Sequence, residues 1–326
     1  MKLALVALVV LVVLVAGCKK NPDSDRVKRL AQVQGFVATE SDGNLIVATT
    51  KNGVQRVGPA GTSTLAPTHL AELLVDGTAI YGFDENFEKV LSIPKKGGAS
   101  TVLAQTKSGE SLRQDVANLY WIESRGSEHP IMTVPKAGGT PRVHGAKPDL
   151  AAGGSAGQLA ADESGVYATM GLSKGPMALW KVPSSGAPTK LADLGMLSVK
   201  ALVVGTSSLF LASDAGTRVS FTKIAKAGGP LVPLGESPGS LSNGIAVNGD
   251  VLLACVSVGQ QAPDHPLPEE IVRVEAGKPI ATVFAFTGAC EKNLVVNSDS
   301  VVFSGLYFPP VRKPELQVGV FRVALR

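Results

Sequence analysis

Ile93-Pro94-Lys95-Lys96-Gly97-Gly98, Val134-Pro135-Lys136-Ala137-Gly138-Gly139 and Ile224-Ala225-Lys226-Ala227-Gly228-Gly229 are three clear copies of one phrase. Each is a short β-rich run that stops at a Gly-Gly turn. Degenerate copies stand at Val57-Gly58-Pro59-Ala60-Gly61, Val182-Pro183-Ser184-Ser185-Gly186, Val274-Glu275-Ala276-Gly277 and Val323-Ala324-Leu325. The phrase recurs seven times, at intervals of about 40–50 residues, and such a period decides architecture before any single residue does.

Working outward, each copy has an upstream partner made of two β-rich runs joined by a turn, at 36–50, 70–83, 112–123, 159–170, 201–213, 245–255 and 294–305. Asp42-Gly43, Asp76-Gly77 and Asn248-Gly249 mark tight hairpins there. After the Gly-Gly turn a last run follows, as in Thr101-Val102-Leu103-Ala104. Each unit therefore holds four strands. A lone four-stranded sheet cannot bury both faces, whereas seven packed around an axis can. The reading is all-β, a seven-bladed β-propeller of four-stranded antiparallel blades; an open β-solenoid is the competitor, with shorter repeats. The chain stops after the third strand of the seventh unit. Arg29-Leu30-Ala31-Gln32-Val33, which resembles the final strand of the other units, is expected to complete that blade and close the ring.

The N-terminus is of a different character. Lys2 is followed by an apolar run from Leu3 to Ala16 with the proportions of a secretory signal, too short to span a bilayer comfortably. Val15-Ala16-Gly17-Cys18 resembles the lipobox of bacterial lipoproteins, which implies cleavage after residue 17 and a lipid on Cys18. The alternative is a plain signal peptide. Residues 1–17 are read as the signal, 18–28 as the lipidated cysteine and a polar tether, and 29–326 as the propeller. Lys19 follows the cysteine where an Asp would favour inner-membrane retention, so the resemblance implies the outer membrane, on its periplasmic or surface side. The net charge of +4 is too mild and scattered for nucleic acid.

Leu119-Tyr120-Trp121-Ile122, followed by Val134 and the Gly-Gly turn, resembles the Y-W-T-D class of propeller repeats. The Val-Pro-Lys-Ala-Gly-Gly copies also resemble exported bacterial propeller domains, including relatives of the Tol-system periplasmic propeller. The likeness covers nearly all of residues 29–326 and brings no catalytic motif with it. The acidic letter of Y-W-T-D is Glu123 here and irregular elsewhere, so a shared calcium role does not carry over.

In a propeller the connections between second and third strands, and those between blades, share one face, here the top. The longest fall in blades six and seven, at Ser257–Glu270 and Leu306–Gln317. Loops on a rigid scaffold are where sites are built. Asp264, His265, Glu269, Tyr307, Arg312 and Lys313 are the candidate binding residues. Cys255 and Cys290 map to the same blades, and a disulfide between them is expected if their Cα atoms approach within ~7 Å. The four histidines show no metal-ligand spacing. No cofactor is expected. The leading function is a membrane-anchored binding or scaffold module for a protein, peptide or envelope polymer. The alternative is a metal-dependent hydrolase or lactonase-like enzyme, with Asp84, Asn243 and Glu291 as ligands at the axial mouth. A third reading is a structural module within an envelope complex.

Overall fold

The computed structural model describes residues 26–325 except 33–34, 40–44, 50–51, 59–60, 126–128, 147–154, 172–174, 259–267, 298 and 310–315. The described residues contain strands and no α-helix. β1 (Val27–Ala31) comes first. Blade one is β2 (Phe36–Thr39), β3 (Leu45–Thr49), β4 (Gly53–Gly58) and β5 (Gly61–Ala66). Blade two is β6 (Ala71–Val75), β7 (Ala79–Phe83), β8 (Lys89–Pro94) and β9 (Thr101–Gln105). Blade three is β10 (Gly109–Gln114), β11 (Asn118–Glu123), β12 (Ile131–Pro135) and β13 (Arg142–Val143). Blade four is β14 (Ser155–Asp162), β15 (Gly165–Gly171), β16 (Met177–Val182) and β17 (Thr189–Gly195). Blade five is β18 (Val199–Val204), β19 (Ser208–Asp214), β20 (Arg218–Ala225) and β21 (Val232–Pro238).

These five sheets are four-stranded, and the rest of the chain forms one seven-stranded sheet. It contains β22 (Ser240–Asn248), β23 (Val251–Ser257), β24 (Pro268–Val274), β25 (Ala281–Val296), β26 (Ser300–Phe308) and β27 (Gln317–Ala324), with β1 at its edge. The first part of β25 pairs with β24 and the rest with β26, so one strand is both the outer strand of blade six and the inner strand of blade seven. Val27, Lys28 and Arg29 pair antiparallel with Val323, Arg322 and Phe321. The seventh blade is thus completed by the N-terminal strand, and the ring closes as expected. The closing strand starts at Val27 and ends at Ala31, slightly nearer the N-terminus than the repeat suggests.

The Gly-Gly turns have a conformational reason. Gly97 and Gly98, Gly138 and Gly139, and Gly228 and Gly229 all take positive φ, between 86° and 143°. Two successive residues there exclude side chains with a Cβ at little cost only for glycine. In each copy the first glycine donates its N–H to the carbonyl three residues back, at 2.8–2.9 Å.

The core lies between blades. One cluster joins Tyr81, Phe83 and Val90 of blade two to Leu112, Leu119 and Trp121 of blade three. Gly109 allows this fit, since a Cβ there would sit 2.4 Å from the Phe83 ring. Burial of these faces on both sides of each sheet supplies the main driving force for ring formation, at about 25 cal/mol per Å² of apolar surface.

Each inner strand of blades two to seven carries a register irregularity near its top end, at Ala71/Leu74, Glu110/Arg113, Ala156/Leu159, Val199/Ala201, Leu241/Ile245 and Cys290/Leu294. Bulges of this kind re-aim side chains and backbone groups. Here they free groups for the neighbouring blade. The Glu72 carboxylate of blade two accepts from Ser111 N–H (3.0 Å) and Leu112 N–H (2.6 Å) of blade three. Arg113 of blade three donates to the Leu159 carbonyl of blade four at 2.8 Å. Asn293 of blade seven exchanges both amide hydrogen bonds with the backbone of Val37 in blade one, across the point where the ring closes.

Candidate binding site at the junction of blades six and seven

On the top half of blade six, Ser257 at the end of β23 faces Glu269 at the start of β24 in register. Ser242 of β22 reaches the same carboxylate. Its hydroxyl lies 2.8 Å from Glu269 Oε2 and 3.0 Å from Oε1, while Ser257 Oγ lies 2.6 Å from Oε1. Glu269 is only 3% exposed, and burial pushes its carboxyl above the ordinary value against the opposing pull of the Ser257 and Ser242 hydroxyls. The described donors to this buried acid are therefore neutral.

Beside it, the sulfurs of Cys255 and Cys290 are joined, with Cα atoms 6.5 Å apart. Cys255 sits in β23 and Cys290 in β25, so the bridge ties the second strand of blade six to the shared strand. Below lies an aromatic stack. Phe286 and Phe303 have ring centroids 4.9 Å apart, Phe303 and Phe321 5.3 Å, and Tyr307 and Phe321 5.4 Å. Such pairs add to stability beyond area burial.

The sequence-derived candidates separate into three groups. Asp264, His265, Arg312 and Lys313 lie outside the described residues. Glu269 and Tyr307 are described and are interior, because β24 begins at Pro268 and β26 runs to Phe308, further into the supposed loops than the turn signals suggested. At 3% and 5% exposure neither is a surface contact; one anchors the polar cluster and the other the aromatic stack. The residue next to the second segment, Leu316, is 47% exposed and apolar.

The axial candidates also divide. A channel of about 680 Å³ runs along the axis, lined by inner-strand residues of all seven blades, among them Glu72, Arg113, Asn243 and Asn293. Asn243 faces it. Asp84 is absent from the lining: its carboxylate accepts from the N–H groups of Glu88 (2.8 Å) and Lys89 (3.0 Å) and closes its own turn. Glu291 belongs to β25, but its side chain lies outside the described residues. Glu72, Arg113 and Asn293, which give the mouth its polarity, are engaged with backbone of the next blade. Burial in the channel wall lowers the Arg113 guanidinium from its ordinary value, and the Glu72 charge opposes this. Among the described residues, the one group of three ligand-type side chains close enough to share an ion is Cys255, Glu269 and Cys290, not a set across the axis.

The bottom face holds a second constellation that the repeat contains and its glycines obscure. Asp76, Asp115 and Asp162 each begin a turn between first and second strands, with Tyr81, Tyr120 and Tyr167 five residues on. Asp76 accepts from Thr78 N–H (2.7 Å), Ala79 N–H (2.9 Å), the Tyr81 hydroxyl (3.0 Å) and Lys136 Nζ (2.9 Å). Lys136 belongs to the Val-Pro-Lys-Ala-Gly-Gly turn of the following blade. Lys226 in the equivalent turn of blade five pairs with Asp162 of blade four. Burial alone would raise the Asp76 carboxyl, yet the donors from Thr78, Lys136 and Ala79 outweigh it and hold it well below the carboxylate range. Tyr81 is pushed up to about 12 by burial and by the Asp76 charge. The Asp-x-x-x-x-Tyr spacing was readable in the sequence; that the lysine reaches backwards was not.

No known protein family's profile matches the chain, and no curated protein matches it in sequence. Solved structures do resemble it. YCF48 bound to D1 peptide superposes with a TM-score of 0.59 at 12% identity, covering 92% of this chain and 94% of that one. Oligogalacturonate lyase in complex with manganese gives a TM-score of 0.60 at 11% identity, covering 92% and 93%. The extracellular domain of the putative hybrid two-component system BT4673 from B. thetaiotaomicron gives 0.59 at 11% identity, over 91% of this chain. This chain spans only 39% of that structure's length. These likenesses establish the propeller fold, which occurs in both binding proteins and enzymes.

Proposed function

We propose that this chain is an exported, lipid-anchored propeller that binds a protein, peptide or envelope polymer through the top of blades six and seven. Cys18 carries the lipid, and the bacterial envelope, with the outer membrane favoured, is the location. The observation that carries the reading is the fusion of these two blades by β25 and by Cys255–Cys290 into one sheet. Recognition segments gain affinity when the strands beneath them are already ordered, because less conformational freedom is lost on binding. In the sequence, 259–267, with Asp264 and His265, connects β23 to β24, and 310–315, with Arg312 and Lys313, connects β26 to β27, with the exposed Leu316 next to the second. Glu269 and Tyr307 support this platform from below. YCF48, solved with a peptide, has the same fold.

An axial hydrolase is the weaker reading. Asp84 is committed to its own turn, and the channel's acid, Glu72, spends both oxygens on Ser111 and Leu112. The reading is tested by in-cell crosslinking and capture from envelope extracts, comparing the intact chain with one in which 259–267 is replaced by a short Gly-Ser linker. Loss of the captured species in that variant, and its retention when 172–174 is shortened, is the expected result. Equal capture by all three chains removes blades six and seven as the site.

A further inference from the structure

Glu269 has a setting that the binding reading does not require. A carboxyl buried to 3% exposure sits beside a disulfide, and its described partners are two neutral hydroxyls. Burying an acid without a cation costs stability, and such groups are normally paired or ligate a metal. Opening the S–S bond would add two further acidic groups to the same dry pocket. Three adjacent acids must then stay protonated or share a cation.

We propose that the dithiol form of Cys255 and Cys290, together with Glu269, binds one thiophilic divalent cation, zinc in particular, so that the junction of blades six and seven exchanges a covalent staple for a metal one on reduction. The ligand atoms of the three residues all lie within 4.8 Å of one another, and all three residues are buried. Tetrahedral zinc holds sulfur at about 2.3 Å and carboxylate oxygen at about 2.0–2.2 Å, which places neighbouring ligand atoms roughly 3.5–3.8 Å apart. The two sulfurs must part from bonding distance to reach that spacing, and their Cα atoms, 6.5 Å apart, leave room for it. The donor set of two thiolates and one carboxylate suits zinc better than magnesium or calcium, which take oxygen ligands. Ser242 and Ser257 play the orienting part, since hydrogen bonds to a ligating carboxylate fix its direction. The Ser242 hydroxyl, which touches both carboxylate oxygens, or a water fills the fourth position.

The chemistry balances with a dithiol reductant such as that of an envelope thiol–disulfide oxidoreductase. Two electrons and two protons pass to Cys255 and Cys290, the S–S bond breaks to two thiols, and the reductant leaves as its own disulfide. Zinc then displaces the two thiol protons, together with the carboxyl proton where Glu269 holds one, to solvent base, and the Glu269 carboxylate completes the protein ligands. This proposal does not rest on partner binding, and its test reads a metal spectrum rather than capture.

The test uses the full chain carrying Cys18→Ser, so that Cys255 and Cys290 are its only thiols. After anaerobic reduction, Co²⁺ is added as the probe and then Zn²⁺ as competitor. The expected result is uptake of one equivalent of Co²⁺ with thiolate-to-metal charge-transfer absorption, bleached by Zn²⁺, and no such absorption in the oxidised chain. Glu269→Gln should weaken Co²⁺ binding at least tenfold while keeping the thiolate band, and Cys290→Ser should abolish the band. If Glu269→Gln does not fold, Ser257→Ala replaces it, with a smaller loss of affinity expected. A reduced, folded chain with two free thiols and no thiolate band overturns the proposal. So does unchanged affinity in the Glu269 or Ser257 variant, or a chain that unfolds on reduction and is not restored by zinc.

Discussion

The bottom face of blades two to five and the top of blades six and seven solve the same problem, joining one blade to the next, by different means. On the bottom face the joint is repeated and polar: a lysine from one blade's Gly-Gly turn reaches back to the aspartate of the preceding blade, as Lys136–Asp76 and Lys226–Asp162. At blades six and seven the joint is covalent and continuous, with β25 shared by both blades and Cys255 bonded to Cys290. Where the repeat is well kept, neighbouring blades are held by what the repeat itself supplies. Where it has decayed, as at Val323-Ala324-Leu325 of blade seven with no lysine to reach back to blade six, other chemistry takes over. The junction of blades three and four is intermediate. Its turn reads Val182-Pro183-Ser184-Ser185-Gly186, with serine in the lysine's place, and His144 packs edge-on against Tyr120 at 4.9 Å while donating to the Val182 carbonyl.

Breaking the covalent joint should have the largest effect. Cys255→Ala/Cys290→Ala closes no loop in the unfolded chain, and for a 35-residue separation the loss is about 3–4 kcal/mol, read as a lower urea midpoint under oxidising conditions. A loss confined to blades six and seven by hydrogen exchange would sharpen the contrast, and a ring-wide loss would weaken it. Next, Asp76→Ala removes a turn acceptor and strands a lysine that is 12% exposed, and should cost about 2–3 kcal/mol. Asp115→Ala, whose carboxylate accepts from its own turn and from Tyr120, should cost about half as much in the same measurement. Equal losses would mean that the lysine contributes nothing.

A smaller gain is expected from Ser184→Lys, which restores the repeat's lysine opposite Asp115; about 0.5 kcal/mol of added stability is the scale for a partly exposed pair. The smallest effect concerns pH. Burial holds the His144 imidazole below its ordinary value of 6.5, with the neighbouring Arg142 charge acting in the same direction and the Val182 carbonyl and Asp115 opposing. The unfolded chain therefore takes the proton first. His144 contributes stability above pH 6.5 that is lost as pH falls from there through its lower folded value. His144→Gln should flatten this part of the stability–pH curve in urea titrations across that window.

Much of the ring was legible in the sequence because propeller blades are local objects. Hairpin partners lie within one unit, so Gly138-Gly139 and Asp76-Gly77 announce their turns, and the unpaired end of blade seven predicts a closing strand near Arg29. The candidate site was less legible. Glu269 and Tyr307 sit in sequence that reads as loop, rich in Pro, yet the strands continue into it because neighbouring strands offer hydrogen-bond partners that periodicity does not reveal. Both side chains consequently point inward. The bulges that turn Glu72 and Arg113 towards the next blade leave no pattern in hydropathy, since a single extra residue shifts the alternation only where it occurs.

By itself the sequence determined the unit, the number of units and the way the ring closes, since these depend on turn chemistry and on contacts between residues close along the chain. Only the tertiary structure decided that Lys136 belongs to Asp76, that β25 serves two blades, and that Glu269 lies beside Cys255 and Cys290. Those pairings join segments from different strands or blades, and their distances are set by how the sheets pack around the axis rather than by any local preference.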